Sequence, residues 1–349
     1  MLLLNDPARM TAADPSGMFD YLFRLPEVAE AAFARGRAVS LPNAKPRQVL
    51  IGGMGGSAIS GDLARNLLFD HCQVPITVSR HSHLPAYLGS DDLVILLSYS
   101  GNTAETLGCL EAAIARKIPT VLVTSGGRFG ELAAQHGLPF VSVEPGWQPR
   151  AALGELYFSL LGLLSQLPGV TGLDPATVVA QLRAERATYL PEVPTEKNPA
   201  KQLAAALSGK VPVIFGIHPS TEAVTTRWKC QINENSKMTV LANIFPELTH
   251  NEIVNLGAKA HDDHVMVILR DSEDPALLAR QLDIARDILR PQVDAVFELV
   301  GAGPDKLTRQ MSLVYLGDYV SVYLATMAGI DPTPVEAIFN LKNRMAGKA

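Results

Sequence analysis

Two short segments of the sequence place glycines and hydroxyl groups at points where a strand should give way to a helix. Segment 52–58, Gly-Gly-Met-Gly-Gly-Ser-Ala, directly follows the apolar run 49–51, and segment 98–103, Ser-Tyr-Ser-Gly-Asn-Thr, follows the apolar run 92–97. Glycine lets the backbone approach a ligand closely, and unpaired amides at the start of a helix attract anions. The chemistry that this pattern favours is the binding of a small anionic group such as a phosphate.

Segment 98–103 carries the stronger signal. Ser98, Ser100 and Thr103 supply three hydroxyls beside helix-start amides, whereas capping one helix needs only one. Segment 52–58 has two alternatives. It could be a tight turn that binds nothing, or part of a dinucleotide-binding fingerprint through Gly53-x-Gly55. No acidic residue follows near position 79, as that fingerprint requires.

These turns require a scaffold of alternating strands and helices, and the rest of the chain supplies one. Continuous apolar runs predict strands at 49–51, 92–97, 119–124, 138–143, 211–216, 264–269 and 293–299. Helical patterns are found after the turn at 52–58 and at 104–116, 220–235, 274–289, 306–328 and 334–345. Continuous rather than alternating apolar strands are typical of parallel sheets that helices cover on both faces. The predicted fold class is therefore α/β, with two doubly wound parallel-sheet subdomains.

A cluster of prolines and glycines between 167 and 199 separates the two halves. The predicted organisation is a helical extension at 1–46, a first, phosphate-binding subdomain at 47–166, a linker with one helix at 167–199, and a second subdomain with a C-terminal helix at 200–349. The halves look like a degenerate repeat, but the second turn, Gly-Ile-His-Pro-Ser-Thr at 216–221, is bulkier than the first. Anion binding is therefore expected in the first half.

The composition excludes several classes of protein. The 349 residues include 30 Lys and Arg against 35 Asp and Glu, which argues against a broad basic surface for nucleic acid. Three scattered cysteines argue against a disulfide framework and a cysteine-rich metal site, and a reducing, cytoplasmic compartment is expected. We find no signal-peptide pattern at the start. Polar residues interrupt the apolar stretch 151–170, which therefore predicts a buried helix rather than a membrane span.

The two turns together, Gly-Met-Gly-Gly-Ser at 53–57 and Ser-Tyr-Ser-Gly-Asn-Thr at 98–103, resemble the sugar isomerase (SIS) domain. Four further segments, at 146–150, 227–237, 245–253 and 331–335, resemble the bifunctional phosphoglucose/phosphomannose isomerases. They read Gly-Trp-Gln-Pro-Arg, Arg-Trp-Lys-Cys-Gln-Ile-Asn-Glu-Asn-Ser-Lys, Phe-Pro-Glu-Leu-Thr-His-Asn-Glu-Ile and Asp-Pro-Thr-Pro-Val. The resemblance spans about 47–345 and implies two SIS-type, Rossmann-like subdomains.

The resemblance implies interconversion of glucose 6-phosphate or mannose 6-phosphate with fructose 6-phosphate, and a role for each matching residue. Glu234 would be the general base, and Arg150 would stabilise the reacting oxygens. His250 would assist ring opening from the other subunit of a homodimer, and Lys342 in the last helix would complete the site. The remaining matches are residues that would bind the substrate: Gly56, Ser57, Ser98, Ser100 and Thr103 at the phosphate, and Thr333 for the use of mannose 6-phosphate.

Elementary chemistry explains why such residue types are needed. A neutral imidazole can move a proton near pH 7, a carboxylate can remove the proton at C2, and an arginine can stabilise the enediolate that forms. The scheme requires no cofactor and no metal ion, and neither His81-x-His83 nor His261-x-x-His264 has a convincing third ligand nearby. We likewise expect no nucleic-acid partner and no association with a membrane.

Other interpretations remain open at this stage. The chain could isomerise another sugar phosphate, such as an amino sugar, or it could be a non-catalytic sugar-phosphate sensor. Taken alone, Glu234 could be a solvated helix residue, His250 a loop residue, and Lys342 a cation that suits a helix end. Tyr315, Tyr319 and Tyr323 recur every four residues and predict packing. The apolar helix at 156–164 requires a cover, which we expect a second subunit to provide.

Overall fold

A computed structural model describes residues 2–345 and residue 347 of the chain. The chain begins with a short 3-10 turn, Leu2–Asn5, and two helices, α1 (Pro7–Ala13) and α2 (Met18–Ala38). Between the helices, the Asp14 carboxylate accepts the backbone amides of Met18 and Phe19, each at 2.8 Å. This carboxylate satisfies amides that the first turn of α2 leaves without intrahelical partners.

The first parallel sheet follows the helical extension and has five strands in the order β2-β1-β3-β4-β5. Its elements are β1 (Val49–Gly52), α3 (Gly56–Leu67), β2 (Ile76–Ser79), β3 (Leu93–Leu97), α4 (Ala104–Ala115), β4 (Thr120–Thr124), α5 (Gly127–His136) and β5 (Phe140–Ser142). The strand order reverses between β1 and β3, where open α/β sheets bind their ligands at the carboxyl edge.

Three helices connect this sheet to a second parallel sheet of four strands. They are α6 (Leu153–Leu164), α7 (Pro175–Tyr189) and, after a 3-10 turn at Thr195–Lys197, α8 (Pro199–Leu207). The second sheet and its helices are β6 (Val211–Ile217), α9 (Glu222–Gln231), a π-helical turn (Ile232–Ser236), β7 (Leu241–Phe245), a 3-10 turn (Glu247–His250), α10 (Glu252–Ala258), β8 (His261–Arg270), α11 (Ala276–Leu289), a 3-10 turn (Arg290–Gln292), β9 (Val293–Val300), α12 (Lys306–Met327) and α13 (Glu336–Met345).

The predicted fold class is confirmed, because both sheets are wholly parallel and a helix lies between consecutive strands everywhere except between β2 and β3. The second sheet has the order β7-β6-β8-β9, which repeats the first four strands of the first sheet. The two halves therefore share the same order of strands. The short strands β2 and β7 were not predicted from the sequence. Both lie at sheet edges and are only partly buried, so neither has the continuous apolar run that marks the central strands.

Helix α6 is fully buried, as its apolar sequence predicts, but the cover comes from the same chain. Helix α2 lies against it so closely that a Cβ on Gly162 would come 2.6 Å from the amide nitrogen of Arg37, and one on Gly154 would come 3.2 Å from the Leu25 carbonyl. The expectation that a second subunit must cover this helix is therefore wrong. Within the described residues, no helix combines the length and the apolarity that crossing a membrane requires.

Candidate active site

The two glycine-rich turns lie side by side at the carboxyl edge of the first sheet. Strands β1 and β3 are adjacent and parallel, with Gly52 paired to Leu96, so the turns that follow them leave the sheet at the same edge. Helices α3 and α4 begin directly after these turns, and neither has a side chain that caps its first amides. Two uncapped helix starts therefore point to the place where the strand order reverses, and this arrangement favours an anion.

The hydroxyls of the second turn are not used to cap helix α4. Thr103 occupies the N-cap position, yet its side chain makes no capping hydrogen bond and instead accepts the hydroxyl of buried Ser98 at 3.3 Å. Ser100 is exposed, and its oxygen accepts the amide of Asn102 at 3.3 Å. The alternative that these three hydroxyls only cap a helix therefore loses support.

The first turn contacts the segment that carries Arg150. A Cβ on Gly56, the first residue of α3, would come within 2.6 Å of the Pro149 carbonyl oxygen, so only glycine allows this approach without a shift. Helix α2 holds the same segment from the other side. The Tyr21 hydroxyl donates to the Gly146 carbonyl at 3.1 Å, and the Arg24 guanidinium lies 4.6 Å from the centre of the Trp147 ring.

Arg150 is buried, with 5% of its surface exposed, and its guanidinium binds oxygen atoms from two other parts of the chain. Its Nε donates to Asn235 Oδ1 at 2.7 Å, and its Nη2 donates to the carbonyls of Pro332 and Thr333 at 2.7 and 2.9 Å. Burial lowers the pKa of Arg150, while the carboxylates of Glu234 and Asp331 oppose that effect. The group stays a fixed cation, because an arginine does not lose its proton at physiological pH.

Glu234 faces this cation from the π-helical turn that extends α9. Its Oε2 lies 3.9 Å from Nη1 of Arg150, and a third of its side chain remains exposed. The next residue, Asn235, is buried and donates to the Ser321 hydroxyl at 2.8 Å, which anchors the turn to helix α12. The turn thus holds Asn235 in the core and leaves the adjacent Glu234 carboxylate partly exposed beside Arg150, in a conformation that occurs often at functional sites.

Helices α3 and α9 pack antiparallel across the two subdomains. At the start of α9, Glu222 accepts hydrogen bonds at 3.2 Å from Arg65 and from Asn66, near the end of α3. The Asn66 side chain in turn accepts the amide of Ala223 at 2.9 Å. The end of α9, with Glu234 beyond it, therefore lies beside the start of α3 and its glycine-rich turn.

A buried ion pair between Arg227 and Asp318 contacts the backbone of Arg150. Nε and Nη2 of Arg227 donate to the two Asp318 carboxylate oxygens at 3.0 and 2.6 Å, and the same Nη2 donates to the Arg150 carbonyl at 3.2 Å. Burial raises the pKa of Asp318, and Arg227 opposes that rise. The pair links α9 and α12 to the backbone of the catalytic candidate.

The corresponding turn of the second sheet is closed by its own side chains. The Thr221 hydroxyl donates to the Leu269 carbonyl at 2.8 Å and accepts the Ile217 amide at 2.9 Å. A Cβ on Gly216 would collide with the Thr225 hydroxyl. This arrangement agrees with the expectation that an anion would bind in the first half.

The other candidates from the sequence have different surroundings. Thr333 is buried, its carbonyl accepts Arg150, and its hydroxyl has no hydrogen-bond partner among the described residues. His250 and Lys342 are exposed, on the 3-10 turn after β7 and on α13. Among the described residues, no hydrogen bond or ion pair joins either of them to Arg150 or Glu234 within one chain.

The histidine pairs lie close together but form no larger cluster. The rings of His81 and His83 are 5.4 Å apart, and those of His261 and His264 are 4.7 Å apart. In the part of the chain that the structure describes, no group of three His, Cys, Asp or Glu residues could hold a metal ion.

The sequence did not assign roles to four residues that support the site: Arg227, Asn235, Lys237 and Asp318. The first three lie within 227–237, the segment on which the resemblance partly rests, so their position beside Glu234 was a usable signal. Asp318 lies in the middle of the long helix α12, and nothing in its sequence context sets it apart.

Comparisons with known proteins identify the families that this chain resembles. A family model described as the bacterial phospho-glucose isomerase C-terminal SIS domain matches residues 196–345, and a SIS domain model matches residues 43–129. A bifunctional phosphoglucose/phosphomannose isomerase of Caldicellulosiruptor bescii is 42% identical over 94% of this chain and 99% of its own length. One from Aquifex aeolicus is 34% identical over 84% of this chain and 88% of its own length.

Solved structures show the same fold at low sequence identity. The crystal structure of a hypothetical protein from Thermus thermophilus has a TM-score of 0.79 at 17% identity, over 99% of this chain and 94% of that one. The two-subdomain architecture is therefore shared with a known protein.

Proposed function

The chain belongs to the family of bifunctional phosphoglucose/phosphomannose isomerases, and on that premise we propose that it interconverts glucose 6-phosphate and mannose 6-phosphate with fructose 6-phosphate. The observation that carries the proposal most directly is the placement of a carboxylate beside a fixed, buried guanidinium. Glu234 Oε2 and Arg150 Nη1 are 3.9 Å apart, and the segment with Arg150 contacts the Gly56 turn, where α3 begins without a side-chain cap.

The phosphate of the substrate is proposed to bind at the two turns of the first sheet. Ser57, Ser98, Ser100 and Thr103 supply hydroxyls, and Gly56 lies at the start of α3, where its backbone amide would face the phosphate. The uncapped amides at the starts of α3 and α4 add the partial positive charge of two helix ends. This cradle explains how a chain with net charge -5 can bind a dianion.

The isomerisation itself is proposed to pass through an enediolate. Once the ring is open, the Glu234 carboxylate removes the proton from C2. The electron pair of the broken C–H bond forms the C1=C2 double bond, and the π pair of the C1 carbonyl moves onto its oxygen. Arg150 stabilises the negative charge that develops on the oxygens. The proton of the C2 hydroxyl is lost as that oxygen becomes the ketone, O1 is protonated, and Glu234 returns its proton to C1. No redox cofactor takes part in this balance.

Acting on both glucose and mannose 6-phosphate requires that either face of C2 can meet the same base. Rotation about C2–C3 of the open chain achieves this if the pocket leaves room near that bond. Thr333 is proposed to border this space, because its backbone holds Arg150 while its hydroxyl has no partner in the described part of the chain. Lys342 is proposed to complete the site.

The direct test is a measurement of fructose 6-phosphate formed by the purified protein from each aldose phosphate. We expect conversion of both in the presence of EDTA, and no conversion of unphosphorylated glucose, because the turns recognise the phosphate. Saturable binding of 6-phosphosugars without any conversion would instead support a sugar-phosphate sensor. Conversion of an amino-sugar phosphate in place of both aldoses would support the other alternative.

We further propose that the active unit is a homodimer in which His250 serves the site of the partner chain. His250 is exposed at the edge of the second sheet and has no hydrogen bond to the Arg150–Glu234 pair of its own chain. An imidazole can accept a proton at one nitrogen and donate one from the other, which suits the proton transfer of ring opening. The three free cysteines are compatible with a reducing compartment, and we propose a cytoplasmic location.

Mixing two inactive variants tests the shared site. In a heterodimer of His250→Ala and Glu234→Gln, both changes fall in one site and leave the other intact, so a random mixture should recover roughly a quarter of the wild-type activity. Each variant alone is the control. If no activity returns although heterodimers are detected by mass spectrometry, His250 does not act across the interface.

A further inference from the structure

Lys237 closes the π-helical turn that carries Glu234, and its amine is bound at two places. Nζ donates to the Glu234 carbonyl at 2.6 Å and to the Pro332 carbonyl at 3.0 Å. The first bond satisfies a carbonyl that the end of the turn leaves open, and a cation is favoured at that end of a helix. The second bond ties the turn to the segment around Thr333.

The Pro332 carbonyl is a shared anchor. It accepts Nη2 of Arg150 at 2.7 Å as well as Nζ of Lys237, so the segment that holds the guanidinium also holds the turn with the carboxylate. Movement of either partner along this anchor would change the 3.9 Å separation between Glu234 and Arg150.

The backbone of Lys237 adopts a conformation that lysine does not favour. Its φ is +57°, in the left-handed region, and Lys117 is the other non-glycine residue with a positive φ in the described part of the chain. Glycine adopts this conformation without the steric conflict that a Cβ creates. The backbone conformation therefore does not explain why this residue is a lysine, and its two side-chain contacts are what a glycine here would lack.

We propose that Lys237 is a positioning residue, which holds the Glu234 turn and the Arg150 anchor at a fixed separation through its two carbonyl contacts. The proposal rests on the proposed isomerase function. It assigns no contact between Lys237 and the substrate. Because proton transfer depends steeply on the distance between base and carbon, a small displacement of the turn should lower turnover more than it lowers binding.

The variant Lys237→Gly distinguishes the effect of the amine on turnover from its effect on folding. It removes both hydrogen bonds, which destabilises the fold, and relieves the left-handed backbone, which stabilises it, so the thermal unfolding midpoint should change little. We expect kcat to fall at least tenfold while KM changes less than threefold. Because Lys237 is exposed, small amines can reach the position of its ammonium from solvent, so added methylammonium or ethylammonium should restore kcat in a saturable way. Tetramethylammonium, which has no N–H to donate, should not.

Lys117→Gly is the matched control, since it relieves the same backbone conformation. It lies after the end of α4, whereas the turn at 98–103 lies before the start of that helix. Its kcat should equal that of the wild type. Turnover of Lys237→Gly within twofold of the wild type would overturn the proposal, and so would a loss of kcat that no primary amine restores. An inactive wild type in the same assay would instead count against the isomerase function itself.

Discussion

The contacts of Arg150 require the shape of an arginine side chain as well as its positive charge. Its guanidinium donates to a side-chain amide and to two backbone carbonyls, and its remaining Nη1 faces Glu234. A planar fork with five donors can reach these separate acceptors at once, whereas the ammonium of a lysine is a single point of charge. The cation is therefore held in place before any substrate arrives, and the enediolate would not have to reorganise it.

Replacement of Arg150 by lysine keeps the charge but cannot reproduce these contacts. We expect Arg150→Lys to lower kcat about 100- to 1,000-fold, because the cation no longer lies where negative charge develops. Steady-state kinetics with glucose 6-phosphate would measure the effect. Arg183→Lys, at an exposed ion pair on α7, should leave kcat unchanged. An Arg150→Lys enzyme within threefold of wild type would contradict the role assigned to the guanidinium.

Much of the candidate site could be anticipated at the level of residues, but its supports could not. The hydroxyls, Arg150 and Glu234 were all named from motif and resemblance, and the structure brings the turn at Gly56, Arg150 and Glu234 together. His250 and Lys342 were named too, but within one chain the described residues show no hydrogen bond or ion pair from either of them to Arg150 or Glu234. The supporting pair of Arg227 and Asp318 depends on contacts between helices far apart in sequence, which local patterns do not encode.

At the scale of elements, the sequence predicted the central strands and most helices but not the changes within them. Segment 220–235 was predicted as one helix, whereas the structure has α9 to Gln231 and then a π-helical turn. A π turn shifts the helical register by one residue, and the side-chain pattern contains no feature that marks it in advance. That turn buries Asn235 and leaves Glu234 partly exposed beside Arg150.

The first turn of α3 is sensitive to a single methyl group. A Cβ at position 56 would meet the Pro149 carbonyl at 2.6 Å, so Gly56→Ala should push the segment with Arg150 away from the turn. We expect kcat/KM to fall roughly 10- to 100-fold, as misplacement of a catalytic group commonly does.

Gly130→Ala, in α5, is the matched control. A Cβ there would meet nothing within 4 Å, so this variant should keep its activity and gain about 0.5–1 kcal/mol of stability from better helix propensity. Equal kcat/KM values for the two variants would show that the contact between the turn and Pro149 has no functional weight.

At the scale of the whole molecule, the N-terminal helices are part of the support of the site. Ser16 donates to Asp331 Oδ2 at 3.2 Å on one side, and Tyr21 donates to the Gly146 carbonyl at 3.1 Å on the other. These contacts reach both segments that hold Arg150. The sequence predicted a helical extension. It did not predict which loops the extension contacts, because a local helical pattern does not encode contacts with distant segments.

Buried Lys201 makes the stability of the molecule depend on pH in a defined direction. Its Nζ donates to the carbonyls of Leu4, Pro191 and Val193 at 2.6 to 2.8 Å, and burial lowers the pKa of Lys201 to about 8. Between that value and the ordinary pKa of about 10.4, the unfolded chain binds more protons than the folded one. Rising pH therefore favours the folded state through this group.

Comparison with Lys201→Met isolates the contribution of this amine. The stability of the wild type relative to the variant should increase by up to about 3 kcal/mol between pH 8 and pH 10.5. Urea unfolding of both proteins across this range provides the measurement. A difference that is constant with pH, or that shrinks as pH rises, would contradict the shifted pKa of Lys201.

The central claim is that Glu234 moves a proton between C2 and C1 of an open-chain sugar phosphate, and isomerisation in D₂O followed by NMR tests it most directly. The wild type should place solvent deuterium at C1 of the fructose 6-phosphate formed from glucose 6-phosphate, since a carboxylate that holds the proton can exchange it with water. Glu234→Gln should retain its fold and lower the rate by about 100- to 10,000-fold. Isomerisation by the wild type without any deuterium incorporation over many turnovers, or unchanged turnover in Glu234→Gln, would contradict the account.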